Sequence, residues 1–212
     1  LVQTRRSLRL DRLEFFICHR LQLDSICTLI KQNPNLTQVR FPGCVQVDDE
    51  VLLLLARHCP SLEYLDLRAC SNVTDRGIQA VARNCPSLSF LNVGRTSDGE
   101  HITDRSVMEI AANTNITTLG VSGCNVSDEG LLALIQHRKG QLERLSLNHC
   151  SSITDRSMAQ LVSCTNLSVL EVKGCVLIRN MRIFQLLHHK RVFLELCPVL
   201  QARFQPNQPP PA

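Results

Sequence analysis

A period of about 26 residues runs through almost the whole chain. The motif Leu-x-x-Leu-x-Leu-x-x-Cys is clearest at Leu62, Leu65, Leu67 and Cys70, and again at Leu142, Leu145, Leu147 and Cys150. Its first apolar position falls at Leu10, Leu36, Leu62, Leu88, Ile116, Leu142 and Leu167, with intervals of 26, 26, 26, 28, 26 and 25 residues. A fixed period of this size marks units that cannot bury an apolar face alone. They must stack to share one core.

Within each unit the Leu-x-Leu pair has a period of two, which predicts a short strand with both leucines on one face. A Ser/Thr-Asp step follows, and Asp49, Asp75, Asp104, Asp128, Asp155 and finally Asn180 are expected to cap helices there. The next stretches are amphipathic: Ile78, Val81 and Ala82, like Leu131, Leu134 and Ile135, recur at helical spacing. One strand and one helix per unit predict an α/β fold. It is a right-handed solenoid, or horseshoe, of about seven βα repeats with parallel strands on the concave face. A partial eighth copy, Leu194 to Cys197, predicts a closing strand. Residues 1–204 read as one domain, and 205–212, QPNQPPPA, as a Pro-rich disordered tail.

Composition narrows the function. With no Trp, one Tyr and seven Phe, the core must be aliphatic. No apolar run approaches the length that spans a bilayer, so no membrane helix is expected. The net charge of +4 is too mild to argue for nucleic acid. The chain starts at Leu1 with no basic-then-apolar leader, so no signal peptide is expected in this segment. No Gly-rich phosphate loop, paired-carboxylate site or Ser/His/Asp set stands out, so the chain reads as a binding scaffold and not an enzyme.

Eleven cysteines are present, an odd number. Cys18, Cys44, Cys70, Cys124, Cys150 and Cys175 are spaced by 26, 26, 54, 26 and 25 residues, and no Cys-x-x-Cys occurs. This rhythm follows the repeat. It predicts a column of buried free thiols in a reducing compartment, not disulfides and not a metal site, whose ligands must converge on one point. Cys59, Cys85 and Cys164 end helices and are expected in the core. No metal and no cofactor is expected.

The x positions of the motif face away from the core and form three columns on the concave side. One runs Arg12, Gln38, Tyr64, Phe90, Thr118, Arg144, Val169; the next Glu14, Arg40, Asp66, Asn92, Gly120, Ser146, Glu171; the third Phe16, Pro42, Arg68, Gly94, Ser122, Asn148, Lys173. Tyr64 and Phe90 fall side by side. Rings and arginines are common interface anchors, although two adjacent rings also cover each other. Tyr64, Asp66, Arg68, Phe90, Asn92, Arg144, Asn148 and Lys173 are therefore candidate protein-binding residues. The fourth repeat adds three residues between Leu88 and Asp104 and lacks the repeated Cys. Its loop carries Arg95, Asp98, Glu100 and His101, which are expected to reach a partner from the rim; a tolerated surface insertion is the alternative.

The unit resembles the cysteine-containing leucine-rich repeat of F-box substrate receptors. The segments LDLRACSNVTD (65–75), LNVGRTSDGEHITDRS (91–106) and NTNITTLGVSGCNVSDEG (113–130) are similar to the antagonist-of-mitotic-exit-network proteins of fungi. That resemblance covers about residues 8 to 200. It implies a cell-cycle regulator of cytoplasm and nucleus that binds the small GTPase of the mitotic exit network. It also implies a substrate receptor of an SCF-type ubiquitin ligase acting on a transcription factor. The segment that would meet the ligase adaptor is expected outside this sequence, since no F-box-like helices precede Leu10. A generic receptor for another target, or a stoichiometric inhibitor with no ligase role, is the alternative.

Overall fold

A computed structural model describes residues 9–20 and 22–204. Eight three-residue strands form one parallel sheet in sequence order: β1 (Arg12–Glu14), β2 (Gln38–Arg40), β3 (Tyr64–Asp66), β4 (Phe90–Asn92), β5 (Thr118–Gly120), β6 (Arg144–Ser146), β7 (Val169–Glu171) and β8 (Phe193–Glu195). Each is followed by a helix: α1 (Leu23–Gln32), α2 (Asp49–His58), α3 (Asp75–Asn84), α4 (Asp104–Asn113), α5 (Asp128–Arg138), α6 (Asp155–Leu161), α7 (Met181–His189) and α8 (Pro198–Arg203). The sequence expected seven units and a closing strand; β8 is that strand, and the short α8 follows it.

The register matches the period. Gln38, Tyr64, Phe90, Thr118, Arg144 and Val169 are successive Cα partners across the sheet. The central residue of each strand from Leu13 to Leu170 points into the core with the helix faces. The core is a single aliphatic column, and the largest fully buried side chains include only two rings, Phe41 and Phe184. The proline-rich tail lies outside the described residues.

From Cys44 to Cys175 the repeated cysteines are buried free thiols, each pointing back one unit, whereas Cys18, expected in the same buried column, is only half-buried. The thiols of Cys70, Cys150 and Cys175 donate to the carbonyls of Phe41, Val121 and Leu147 at 3.0, 3.3 and 3.1 Å. Burial pushes Cys70 up to about 12 and Cys175 up to about 11. The column therefore holds neutral thiols that tie adjacent turns together. Cys59 and Cys85 follow the last turns of α2 and α3 and are buried too, as is Cys164.

The helix starts correct the expected caps. Asp48, Thr74, Thr103, Ser127, Thr154 and Asn180 are the capping residues, each accepting a first-turn backbone N–H of its own helix. Asn180 caps as expected, but Asp49, Asp75, Asp104, Asp128 and Asp155, also expected as caps, do not. The aspartates occupy the first helical position and reach forward into the next repeat. Asp49 accepts from the Thr74 backbone N and hydroxyl at 2.9 and 2.7 Å. Asp75 accepts likewise from Thr103 at 2.9 and 2.6 Å, and from the Ser106 hydroxyl. Asp104 does the same with Ser127, and Asp128 with Thr154 and Ser157. Asp155 closes the series on the backbone N–H groups of Arg179 and Asn180. A ladder of carboxylates thus latches five consecutive helix starts.

Candidate protein-binding face

The concave columns fall where the strand period puts them. Tyr64 and Phe90 stack in parallel, ring centroids 3.9 Å apart and planes 5° apart. The Arg40 guanidinium, from the β2 side, lies 4.4 Å from the Tyr64 centroid. The two rings do cover each other, and both are half-buried. Burial pushes the Tyr64 hydroxyl up, with Arg40 pulling against it. Arginine and two rings make one continuous stack across three strands.

Beyond Phe90 the same column drops to the short Thr118 and rises again at Arg144. A groove opens there, lined by Phe90, Thr118, Gly120, Ser122, Arg144 and Ser146, with Arg68, Asn148 and Glu171 at its sides. Neighbours organise its floor. Asn92 accepts from the Gly94 backbone N at 3.0 Å and lies flat over Gly120, where a Cβ would stand 2.6 Å from the Asn92 amide carbon. The Glu171 carboxylate accepts from the Ser146 hydroxyl at 2.5 Å and the Asn148 amide at 3.2 Å. Asn148 in turn accepts from the Lys173 backbone N, and Lys173 pairs with Glu195. Among the described residues Arg40, Arg68 and Lys173 all have a carboxylate partner, whereas Arg144 has none.

Two candidate residues are placed differently from expectation. Asp66 is 2% exposed and is held by Arg68: Nε donates at 3.0 Å, Nη2 at 2.8 Å and the backbone N at 3.2 Å. It orients Arg68 and offers nothing to a partner. Arg95 is 6% exposed and is no rim contact. In the other repeats the residue before the Cys position, such as Ala69, Gly123 or His149, is left-handed, with φ of 57°, 71° and 62°. Arg95 is not, and Asp98 takes that conformation three residues later with φ 54°. The insertion postpones the turn. The Arg95 side chain then fills the space beneath, donating to the carbonyls of Val93 at 3.2 Å, Val73 at 3.1 Å and, at 3.5 Å, Asp98.

The rest of the irregular loop is exposed at Asp98, Glu100 and His101. A single 3-10 turn, Gly99–His101, folds it against the neighbouring turns: Asn125 N donates to Gly99 O at 2.9 Å, and a Cβ on Gly99 would collide with Gly123 O. The structure therefore brings Arg68, Phe90, Asn92, Arg144 and Asn148 to one groove, with the buried Arg95 also on its lining, and leaves Lys173, Asp98, Glu100 and His101 outside it. Thr118, Gly120, Ser122, Ser146 and Glu171 were not singled out as site residues. The run of small residues Thr118, Gly120, Ser122 and Ser146 along the columns was the available clue, and Glu171 carried none.

A family model described as a leucine-rich repeat matches residues 58–82 and 112–134. Proteins named antagonist of mitotic exit network protein 1 align along most of the chain. The Yarrowia lipolytica protein is 39% identical over 178 residues, or 81% of this chain and 25% of its own length. That of Eremothecium gossypii is 40% identical over 169 residues, 78% of this chain and 43% of its own length. That of Saccharomyces cerevisiae is 38% identical over 177 residues, 81% of this chain and 32% of its own length. Over these repeats the chain is homologous to the antagonist-of-mitotic-exit-network proteins. The chain thus spans between a quarter and about two fifths of the length of these relatives. Among solved structures, yeast Rad7 in complex with Elc1 shares the fold: the TM-score is 0.55 at 19% identity, covering 88% of this chain and 56% of that one.

Proposed function

We propose that this leucine-rich-repeat chain is the recognition domain of a cell-cycle regulator that antagonises mitotic exit. In this reading it binds the small GTPase of the mitotic exit network through the concave face. In the full protein it serves as substrate receptor of an SCF-type ubiquitin ligase for a transcription factor, working in cytoplasm and nucleus without catalysis of its own. The observation that carries the binding reading is the groove beside the Tyr64–Phe90 stack, where Arg144 is an arginine with no ion-pair partner among the described residues. The family supports the cell-cycle assignment. Titration calorimetry of the 212-residue chain with the purified GTPase tests it. Tyr64→Ala with Phe90→Ala should weaken binding by about 2 kcal/mol or more, as loss of a packed aromatic anchor does. Unchanged affinity rejects the concave face. Co-purification of the SCF adaptor with a full-length relative tests the ligase role.

A further inference from the structure

We infer that the groove is a slot for one aromatic side chain of a partner polypeptide, inserted over Thr118 between the Phe90 ring and the Arg144 guanidinium. This rests on the concave-face reading above and specifies what the partner presents there. Along the first column each strand contributes one side chain to a stack that starts with Arg40 over Tyr64 at 4.4 Å and continues to Phe90 at 3.9 Å. Phe90 has Tyr64 on one face, so its other face looks across β5. The stack is interrupted there because Thr118 is too short to continue it. Arg144, one strand further, is exposed and has no ion-pair partner among the described residues.

Backbones two strands apart are separated by about 9.6 Å, twice the usual strand spacing. That gap holds one planar group, with a ring face against Phe90 on one side and a cation face on the other. A ring there completes the sequence Arg40, Tyr64, Phe90, partner ring, Arg144, with a guanidinium at each end facing an electron-rich ring face. The surroundings suit a ring better than a charge. The floor is made of Thr118, Ser122 and Gly120, the last covered by the neutral Asn92 amide. The nearest carboxylate on the lining, Glu171, is already hydrogen-bonded by Ser146 and Asn148. Glu171 beside Arg144 also disfavours an acidic side chain from the partner. An aromatic residue carrying a hydroxyl or ring N–H has the Ser122 and Ser146 hydroxyls within the same groove.

The test uses a phage library of random 12-residue peptides panned on the 212-residue chain. Affinities of the selected peptides are then measured by fluorescence anisotropy on wild type, Thr118→Phe, Phe90→Ala and Arg144→Ala. Thr118→Phe fills the slot from within and extends the stack, so it should keep the melting temperature while lowering affinity at least tenfold. Thr118→Leu serves if the larger ring prevents folding. The selected peptides should share one aromatic residue whose change to Ala costs a similar factor. Acidic peptides that lose binding with Arg144→Ala but tolerate Thr118→Phe overturn the slot and leave the concave face standing as a site. Peptides indifferent to all three variants, or no peptides at all, also overturn the slot. Failure of the underlying reading shows separately, as GTPase binding that ignores Tyr64→Ala with Phe90→Ala.

Discussion

The Arg95 guanidinium donates to the Val73 carbonyl at 3.1 Å, bridging the loops of two adjacent repeats from inside the fold. No cysteine stands at the corresponding turn, and the arginine takes over the tie that the thiols make elsewhere. Arg95→Ala removes donors from buried carbonyls and leaves a void, so stability should fall by roughly 2–4 kcal/mol in urea unfolding. Arg95→Met restores volume without donors and should recover only part of the loss. A change under about 0.5 kcal/mol for the alanine variant, the size typical of a surface substitution, contradicts a structural role.

Shortening the loop should cost stability as well. A tolerated surface insertion, the alternative weighed for this loop, would lose its three extra residues without harm. The Asp98 and Gly99 carbonyls, however, accept from Arg95 and Asn125. Deleting Asp98 to Glu100 is expected to lower the melting temperature clearly, whereas Glu100→Ala and His101→Ala, both exposed, should leave it in place. An unchanged melting temperature in the deletion returns the loop to the status of a surface insertion.

The carboxylate ladder predicts acid sensitivity. Burial pushes the Asp128 carboxyl up, but hydrogen bonds from Ser157 and Thr154 outweigh it and hold the group below its ordinary 3.8. A lowered folded-state value means stability that is present above about pH 4 and lost as pH falls through the folded value. Asp128→Asn should cost about 1–3 kcal/mol at neutral pH, since it leaves a hydroxyl or N–H poorly paired, and should flatten the acid limb of stability against pH. An acid limb identical to wild type rejects the ladder's part in it.

Thiol reactivity should divide in two. Cys18, Cys27 and Cys197 are half-buried, and the other eight are buried. The Leu200 backbone N–H draws Cys197 below the ordinary thiol value, so it should react first with a disulfide reagent under native conditions at pH 8. Eleven thiols should react after denaturation without reductant. Because burial raises the buried set, with Cys59 at about 11 and Cys85 at about 12, their contribution to stability is complete below pH 9 and declines as pH rises toward those values. Rapid native labelling of all eleven contradicts the buried column.

The period was enough to place Gln38, Tyr64, Phe90 and Thr118 in one row, because a solenoid leaves no freedom between spacing and register. The aspartate role was not legible for the opposite reason. In Thr74-Asp75 both side chains carry oxygens suited to capping, and the choice depends on a partner about 28 residues ahead, Thr103, which only the stacking brings near. Arg95 misled by its charge. A loop arginine is ordinarily at the surface, and only the delayed left-handed turn at Asp98 makes room for it inside. Asp66 was read from its column alone, although Arg68, two residues on, was in reach to hold it.

The forward reach of each aspartate also gives the horseshoe a mechanical grain. Pulling on the two termini loads the boundaries between repeats in series, and those from Asp49 to Asp155 each carry a carboxylate clamp on the next helix. The first helix, α1, has no side-chain cap, and α8 lies beyond the last clamp. Under tension the ends should therefore peel away at low force as single units. The clamped middle, which holds the groove, should resist longest, so a partner seated there would stay gripped while the flanks of the domain stretch.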